Sequence, residues 1–121
     1  MLVDINITSA GTFTAVPGND SKTIEVYRIL LNADSVVNVI VQEKSKDGIV
    51  TPHFTLYLLK SGNPFIFPDL ENLSVHFAQW YTTEEAYIIT GHGASLELVT
   101  NVTANVSGQL RVLQLPLFQS F

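Results

Sequence analysis

The sequence predicts an all-β protein, a single antiparallel β-sandwich domain spanning residues 1–121. Three observations predict it. Short alternations of apolar and polar residues recur along the chain, set apart by Gly, Pro, Asn and Asp at turn positions. No amphipathic helix of ordinary length appears, and a short helix after Asp69 is the one helical option. The last third, AYIITGHGASLELVTNVTANVSGQLRVLQL from Ala86, holds no Cys, no Lys and no Asp. That segment has the composition of strands rather than of an active site.

Each element follows from its local pattern. Val3, Ile5 and Ile7 occupy every second position, which gives a short strand or an extended N-terminal arm over residues 1–10. Gly11 breaks it, and Pro17-Gly18-Asn19-Asp20 is a strong turn. Lys22 to Asn32 is a long β-prone run with Tyr27, Ile29 and Leu31 on one face and Ile24, Val26 and Leu30 opposite, so both faces are partly covered. A turn at Asn32-Ala33-Asp34-Ser35 leads to a strand from Val36 to Gln42. The charged loop Glu43 to Gly48 ends in Asp47-Gly48, a hairpin signal. Val50 to Leu59 continues with Phe54, Leu56 and Leu58 alternating against Thr55 and Tyr57.

Ser61-Gly62-Asn63-Pro64 turns the chain into its least regular part, Phe65 to Glu85. There Leu73, Val75 and Phe77 alternate in one phase within Asn72 to Tyr81, and Trp80 falls in the other. Strands are expected over Ala86 to Thr90, Ser95 to Thr100 and Ala104 to Leu115. Gly91-His92-Gly93 makes a hairpin link between the first two, because Gly takes φ > 0 without steric cost.

Composition bounds the function. Apolar residues are 46 % and charged residues 14 %, against about 25 % charged in an average protein. Low charge with high apolar content points to a surface covered by a partner; a polar coat of Ser, Thr, Asn and Gln is the alternative reading. The net charge is −5 with six scattered basic residues, which argues against nucleic acid, whose affinity comes from Lys and Arg on phosphate. The absence of Cys excludes disulfides, thiol catalysis and Cys-zinc sites. Met1-Leu2-Val3-Asp4 lacks the basic start and apolar run of a signal peptide, and no stretch reaches membrane-spanning length, so no membrane partner and synthesis in a cytoplasm are expected. Asn-x-Ser/Thr triplets at Asn6, Asn19, Asn72, Asn101 and Asn105 read as strand and turn composition rather than glycosylation.

Catalytic motifs are weak throughout, so the expectation is a non-enzyme without cofactor or metal. His53, His76 and His92 lack zinc-ligand spacing. Gly91-His92-Gly93 has neither the third Gly nor the βαβ unit of a dinucleotide loop. Glu84 and Glu85 are neighbours and would point to opposite faces of a strand. No Ser-His-acid signature such as G-x-S-x-G occurs. Interaction residues are better marked. Trp80 and Tyr81 sit near Phe77, and Trp and Tyr are enriched at interface hot spots, although a lone Trp is as often a core residue. The tail over residues 115–121, Leu115-Pro116-Leu117-Phe118-Gln119-Ser120-Phe121, is uncharged and apolar and must pack on something. Trp80, Tyr81, Leu117, Phe118 and Phe121 are therefore the contact candidates.

Taken together, Gln79-Trp80-Tyr81-Thr82-Thr83, Thr90 to Leu98 and Val106 to Val112 resemble small accessory proteins of tailed-bacteriophage virions. In those, an aromatic-Thr-Thr step precedes a Gly-centred turn, a Leu-x-Leu strand and a V-x-G-x-[VL] final strand. Tyr27-Arg28-Ile29 leading to Val37-Asn38-Val39 is similar too, and the resemblance covers about two thirds of the chain. It implies a jelly-roll-like sandwich that decorates or cements the capsid, bound to the major capsid protein at capsomer junctions, commonly as a homotrimer on the virion surface. The segment from Phe65 to Phe77 departs from the shortest family members. A carbohydrate- or receptor-binding virion module, with Trp80 and Tyr81 stacking on sugar rings, and a head-tail connector or tail component are the alternatives.

Overall fold

The computed structural model describes residues 2–58, 65–67 and 88–116. Those residues are all-β: nine strands, β1 (Leu2–Ile7), β2 (Gly11–Val16), β3 (Lys22–Ala33), β4 (Val37–Lys44), β5 (Val50–Leu58), β6 (Phe65–Phe67), β7 (Ile88–Ile89), β8 (Ser95–Thr100) and β9 (Val106–Pro116). They form two antiparallel sheets. One has the order β1-β9-β3-β6, with β7 also on β3, and the other has the order β2-β8-β4-β5. Apolar side chains from both sheets meet in one core, which makes the molecule a β-sandwich.

The alternation read from sequence accounts for that core. Val37, Val39 and Val41 of β4, Leu56 and Leu58 of β5, Leu96 and Leu98 of β8, and Val106, Leu110 and Val112 of β9 are all buried. Each such side chain contributes roughly 1.5–3 kcal/mol on full burial. β1 is a paired strand rather than a free arm: it runs antiparallel to β9 from Leu2↔Arg111 to Ile7↔Val106 and turns Ile5 and Ile7 inward.

β3 departs from the expected alternation. Ile24, Val26, Ile29, Leu31 and Ala33 are all buried, so Val26 and Ile29 share a face across a three-residue step. The cause is a β-bulge against β9 between Val26 and Arg28, where Tyr27 is the extra residue. It resets the phase, so Leu30 faces outward and Ile29 joins Ile24 and Val26.

Two other expectations change. Gly11–Val16, left between two breaks in the sequence, forms the edge strand β2, paired with β8. The Gly91-His92-Gly93 turn is not a hairpin, because β7 belongs to the first sheet and β8 to the second. The turn carries the chain from one layer to the other. The Asp47-Gly48 turn is a hairpin as expected, joining β4 to β5 with Gly48 at φ +88 and the Ser45 carbonyl accepting from the Gly48 amide at 2.9 Å.

β6 and β7 occupy the same edge of β3. β6 pairs Phe67 with Ile29, and β7 pairs Ile88 with Val26. They are two collinear pieces, interrupted opposite Tyr27 and Arg28. The expected strand over Asn72 to Tyr81, the helix after Asp69 and the Ser61-Gly62-Asn63-Pro64 turn lie outside the described residues.

Candidate interaction surface

Inward burial of β1, β9 and β3 leaves the complementary residues on the outer face of the first sheet. Pairing registers place them in rows. Leu2, Arg111 and Arg28 form one row across β1, β9 and β3. Asp4, Gln109, Leu30 and Ile66 form the next, continuing onto β6. Leu113, Glu25 and Ile89 form a third, across β9, β3 and β7. Leu2 is 62 % exposed, Ile89 60 % and Leu113 43 %; Leu30 and Ile66 are half-buried. The face thus mixes apolar and polar side chains in each of these rows, and the next row, Asn6, Ser107 and Asn32, is polar throughout.

Both arginines of the chain lie in one row of this face, directly opposite each other across β3 and β9. Like charges so placed destabilise a strand pair, by up to about 1 kcal/mol on the scale of cross-strand pairs. Among the described residues, two carboxylates of this face accept from uncharged groups. Asp4 Oδ1 accepts from the Gln109 amide at 3.2 Å, and Glu25 Oε1 accepts from the Tyr27 hydroxyl at 2.6 Å. The Arg111 guanidinium sits 5.8 Å from the Tyr27 ring centroid, within cation–π range. Arg28 Nε is buried and has no hydrogen-bond partner among the described residues. An unsatisfied buried donor costs roughly 1–3 kcal/mol, and more when charged. Beside it is a recess of about 100 Å³ lined by Leu2, Arg28, Leu30, Gln109 and Arg111. A larger hollow, about 160 Å³, lies within the β1–β2 turn at Asn6 to Phe13 and has no ionisable side chain.

The outer face of the second sheet carries one wholly polar-to-neutral row beside one that holds Val99 and Ile40. Thr14, Glu97, Gln42 and Pro52 share a row, and the 7 %-exposed Glu97 accepts from Gln42 Nε2 at 2.8 Å. Tyr57, 69 % exposed, is the large aromatic on that face.

The two ends of the sandwich are tied by polar contacts. At one end Glu43 joins three segments: its Oε1 lies 2.7 Å from His53 Nε2 in the β5 bulge, and its Oε2 accepts from the Gly91 amide at 3.0 Å. Thr90 Oγ1 accepts from the buried Ile24 amide at 2.9 Å and so holds the interlayer crossover to the start of β3. Pro17–Asp20 packs against that crossover so closely that a Cβ on Gly18 would lie 2.2 Å from the Gly93 carbonyl oxygen. These contacts make Glu43 and His53 a structural tie, and no cluster of three metal-ligating side chains occurs among the described residues. At the other end Asp34 accepts from the Asn105 amide and Nδ2, both at 2.9 Å, which joins the β3–β4 turn to the β8–β9 loop. The Asn105 backbone bond is the main cause holding the Asp34 carboxyl below its ordinary 3.8.

Of the residues marked in the sequence, Trp80, Tyr81, Leu117, Phe118 and Phe121 lie outside the described residues. Their approaches are visible. β6 ends at Phe67 and β7 begins at Ile88 on the same edge of β3, and β9 pairs Pro116 with Lys22 near the Glu43 end. Sequence reasoning missed the face formed by Leu2, Arg28, Leu30 and Arg111, because the bulge at Tyr27 hides the phase that puts them together. The signal that could have found it is that Ile24, Val26, Ile29 and Leu31 share one face only if a residue is added between Val26 and Ile29. His92 is an exposed turn residue, as its glycine neighbours suggested. No protein-family model, curated protein or solved structure matches the chain.

Proposed function

We propose that the chain is a structural virion protein, a capsid cement or decoration subunit that self-associates as a homotrimer and binds the major capsid protein at capsomer junctions. It is made in the host cytoplasm and placed on the capsid surface. The observation that carries the reading is the set of apolar side chains among the polar ones on the outer face of the first sheet, Leu2, Leu30, Ile66, Ile89 and Leu113, in a chain only 14 % charged. Large apolar side chains left exposed on one face favour association.

The strand order supports the same reading. With β6 and β7 counted as one interrupted strand, the sheet orders β1-β9-β3-β6 and β2-β8-β4-β5 are compatible with a jelly roll, a double sheet built from two Greek keys and used by viral capsid domains among others. Each subunit buries a modest patch, and a symmetric oligomer adds several weak contacts into firm attachment. Trp80, Tyr81, Leu117, Phe118 and Phe121 are proposed contact residues alongside that face.

Electron cryo-microscopy of virions made with and without the gene tests the proposal. Sandwich-sized density at capsomer junctions that vanishes with the gene supports it, and identical heads in the two preparations refute it.

A further inference from the structure

We propose that β1, the end strand of the first sheet, pairs antiparallel with β1 of a second copy of this chain, so that the two first sheets join into one. The contact rests on strand geometry and charge and not on the virion reading, so its failure would leave that reading standing.

β1 stands at the end of its sheet and pairs, among the described residues, with β9 alone. An edge strand turns backbone N–H and C=O groups toward its open side, and chains that stay apart blunt such edges with Lys, Pro, a bulge or a very short strand. The other described edges carry these devices. β2 is bulged between Thr14 and Val16, and β5 is bulged beside Pro52. β6 and β7, at the far side of the first sheet, are three and two residues long. β1 has none of them: it is six residues long, holds neither Lys nor Pro, and keeps an unbroken register from Leu2↔Arg111 to Ile7↔Val106. Its one charged side chain, Asp4, selects a partner register instead of closing the edge.

Ile5 and Ile7 are buried, and Val3 packs against the same core, while Leu2, Asp4 and Asn6 are exposed on the other face. Residues directly opposite in an antiparallel pair lie on one face. A twofold axis between two copies of β1 therefore passes through a residue and not between two. An axis at Asp4 sets the carboxylate against its own copy, and like charges so placed are destabilising. An axis at Asn6 shortens the ladder and leaves Asp4 without a polar partner on the second strand. An axis at Ile5 sets Val3 against Ile7 and Asp4 against Asn6, each twice over. Asp4 Oδ1 accepts from Gln109 at 3.2 Å, and the second carboxylate oxygen takes the Asn6 amide of the second copy. So short a ladder buries less than the roughly 1,200 Å² of a stable interface. The contact is therefore weak alone, and it links subunits or their oligomers at high concentration or where many copies crowd on one surface.

Sedimentation velocity of the full chain over a rising concentration series at low salt tests this, read as the step from the smallest species to its pair. Asn6→Lys faces Asp4 with a cation at both ends of the contact and should tighten that step about three- to tenfold, a gain that high salt removes. Asn6→Asp opposes like charges and should weaken it by a similar factor. Asp4→Lys with Asn6→Asp exchanges the two charges and should restore the tightened step. Asp4→Lys alone lowers the net negative charge further than Asn6→Lys does, yet should not tighten the step, because it faces an uncharged Asn6. Both positions are exposed, and circular dichroism checks that each variant keeps its fold. If Asn6→Asp fails to fold, the salt dependence of Asn6→Lys carries the comparison. No pairing of the parent chain up to its solubility limit would overturn the proposal. So would Asn6→Lys leaving the step unchanged, or Asp4→Lys tightening it equally.

Discussion

Single atoms decide several features of this sandwich. Gly108 sits in the central pair β3–β9 at φ +152, and a Cβ there would lie 1.9 Å from the Leu30 carbonyl oxygen. Gly108→Ala must push the two strands apart, at a cost of about 1–3 kcal/mol or more for overpacking. Gly48→Ala, at φ +88 with open space around it, carries backbone strain alone, about 1–2 kcal/mol. Urea unfolding of both variants should therefore show the larger loss at Gly108, and equal losses would remove the steric argument.

Asp34 makes a pH prediction with a definite sign. Its carboxyl is held below its ordinary 3.8 chiefly by the Asn105 backbone amide. A depressed carboxyl contributes stability that is fully present above the unfolded-state pKa and is lost as pH falls through the folded one. Asp34→Asn should flatten the stability profile below about pH 4, while leaving the shape above that range unchanged. Stability measured from pH 2 to 6 tests this, and a variant slope equal to that of the parent would rule the clasp out as a titrating contact. None of this was legible from the sequence, because Asp34 and Asn105 are neighbours only after β9 has paired with β3.

Strands and turns were legible where their pattern is local. The alternation in β5 put Leu56 and Leu58 on one inward face, since period-2 burial needs no knowledge of the partner, but Phe54, expected with them, is 37 % exposed beside the β5 bulge. Reading failed where geometry is set from elsewhere. β2 is one six-residue edge strand between two turn signals, and its register comes from β8. The Gly91-His92-Gly93 turn has the residues of a hairpin, but the sheets its flanking strands join decide its role.

The β3 bulge is the most testable case. Deleting Tyr27 leaves Ile24, Val26, Ile29, Leu31 and Ala33 in perfect alternation, so the fold should survive with a modest loss from the Glu25 and Arg111 contacts. Deleting Leu30 instead turns Leu31 and Ala33 out of the core, and exposing the leucine alone costs about 1.5–3 kcal/mol. Thermal unfolding of the two deletions should rank them in that order. The reverse order would mean that the bulge, rather than the alternation, holds the strand.

At the scale of the whole molecule, the sandwich is built from long-range pairing. β1 and β9 bring the two ends of the described chain together, while β3 and β9 form the spine of the first sheet. Such an architecture depends on its interior. Leu98→Ala, in a side chain with no exposure at the centre of β8, should cost about 2–5 kcal/mol by cavity formation, read by urea denaturation. The all-β class followed from periodicity, but strand order did not, because the same alternations serve many topologies. The expectation of a jelly roll came from resemblance to virion proteins, and the observed sheet orders support it as a proposal. The candidate contacts Trp80, Tyr81, Leu117, Phe118 and Phe121 rest on residue type. The outer face with Leu2, Leu30 and the two arginines rests on registers, which only the paired strands reveal.

The proposed function turns on self-association of a charge-poor sandwich. Native mass spectrometry of the full chain, alongside a variant lacking residues 115–121, tests it most directly. A homotrimeric subunit gives a three-copy species for the full chain, weakened or lost in the deletion. A full chain that remains a single copy up to its solubility limit would contradict it.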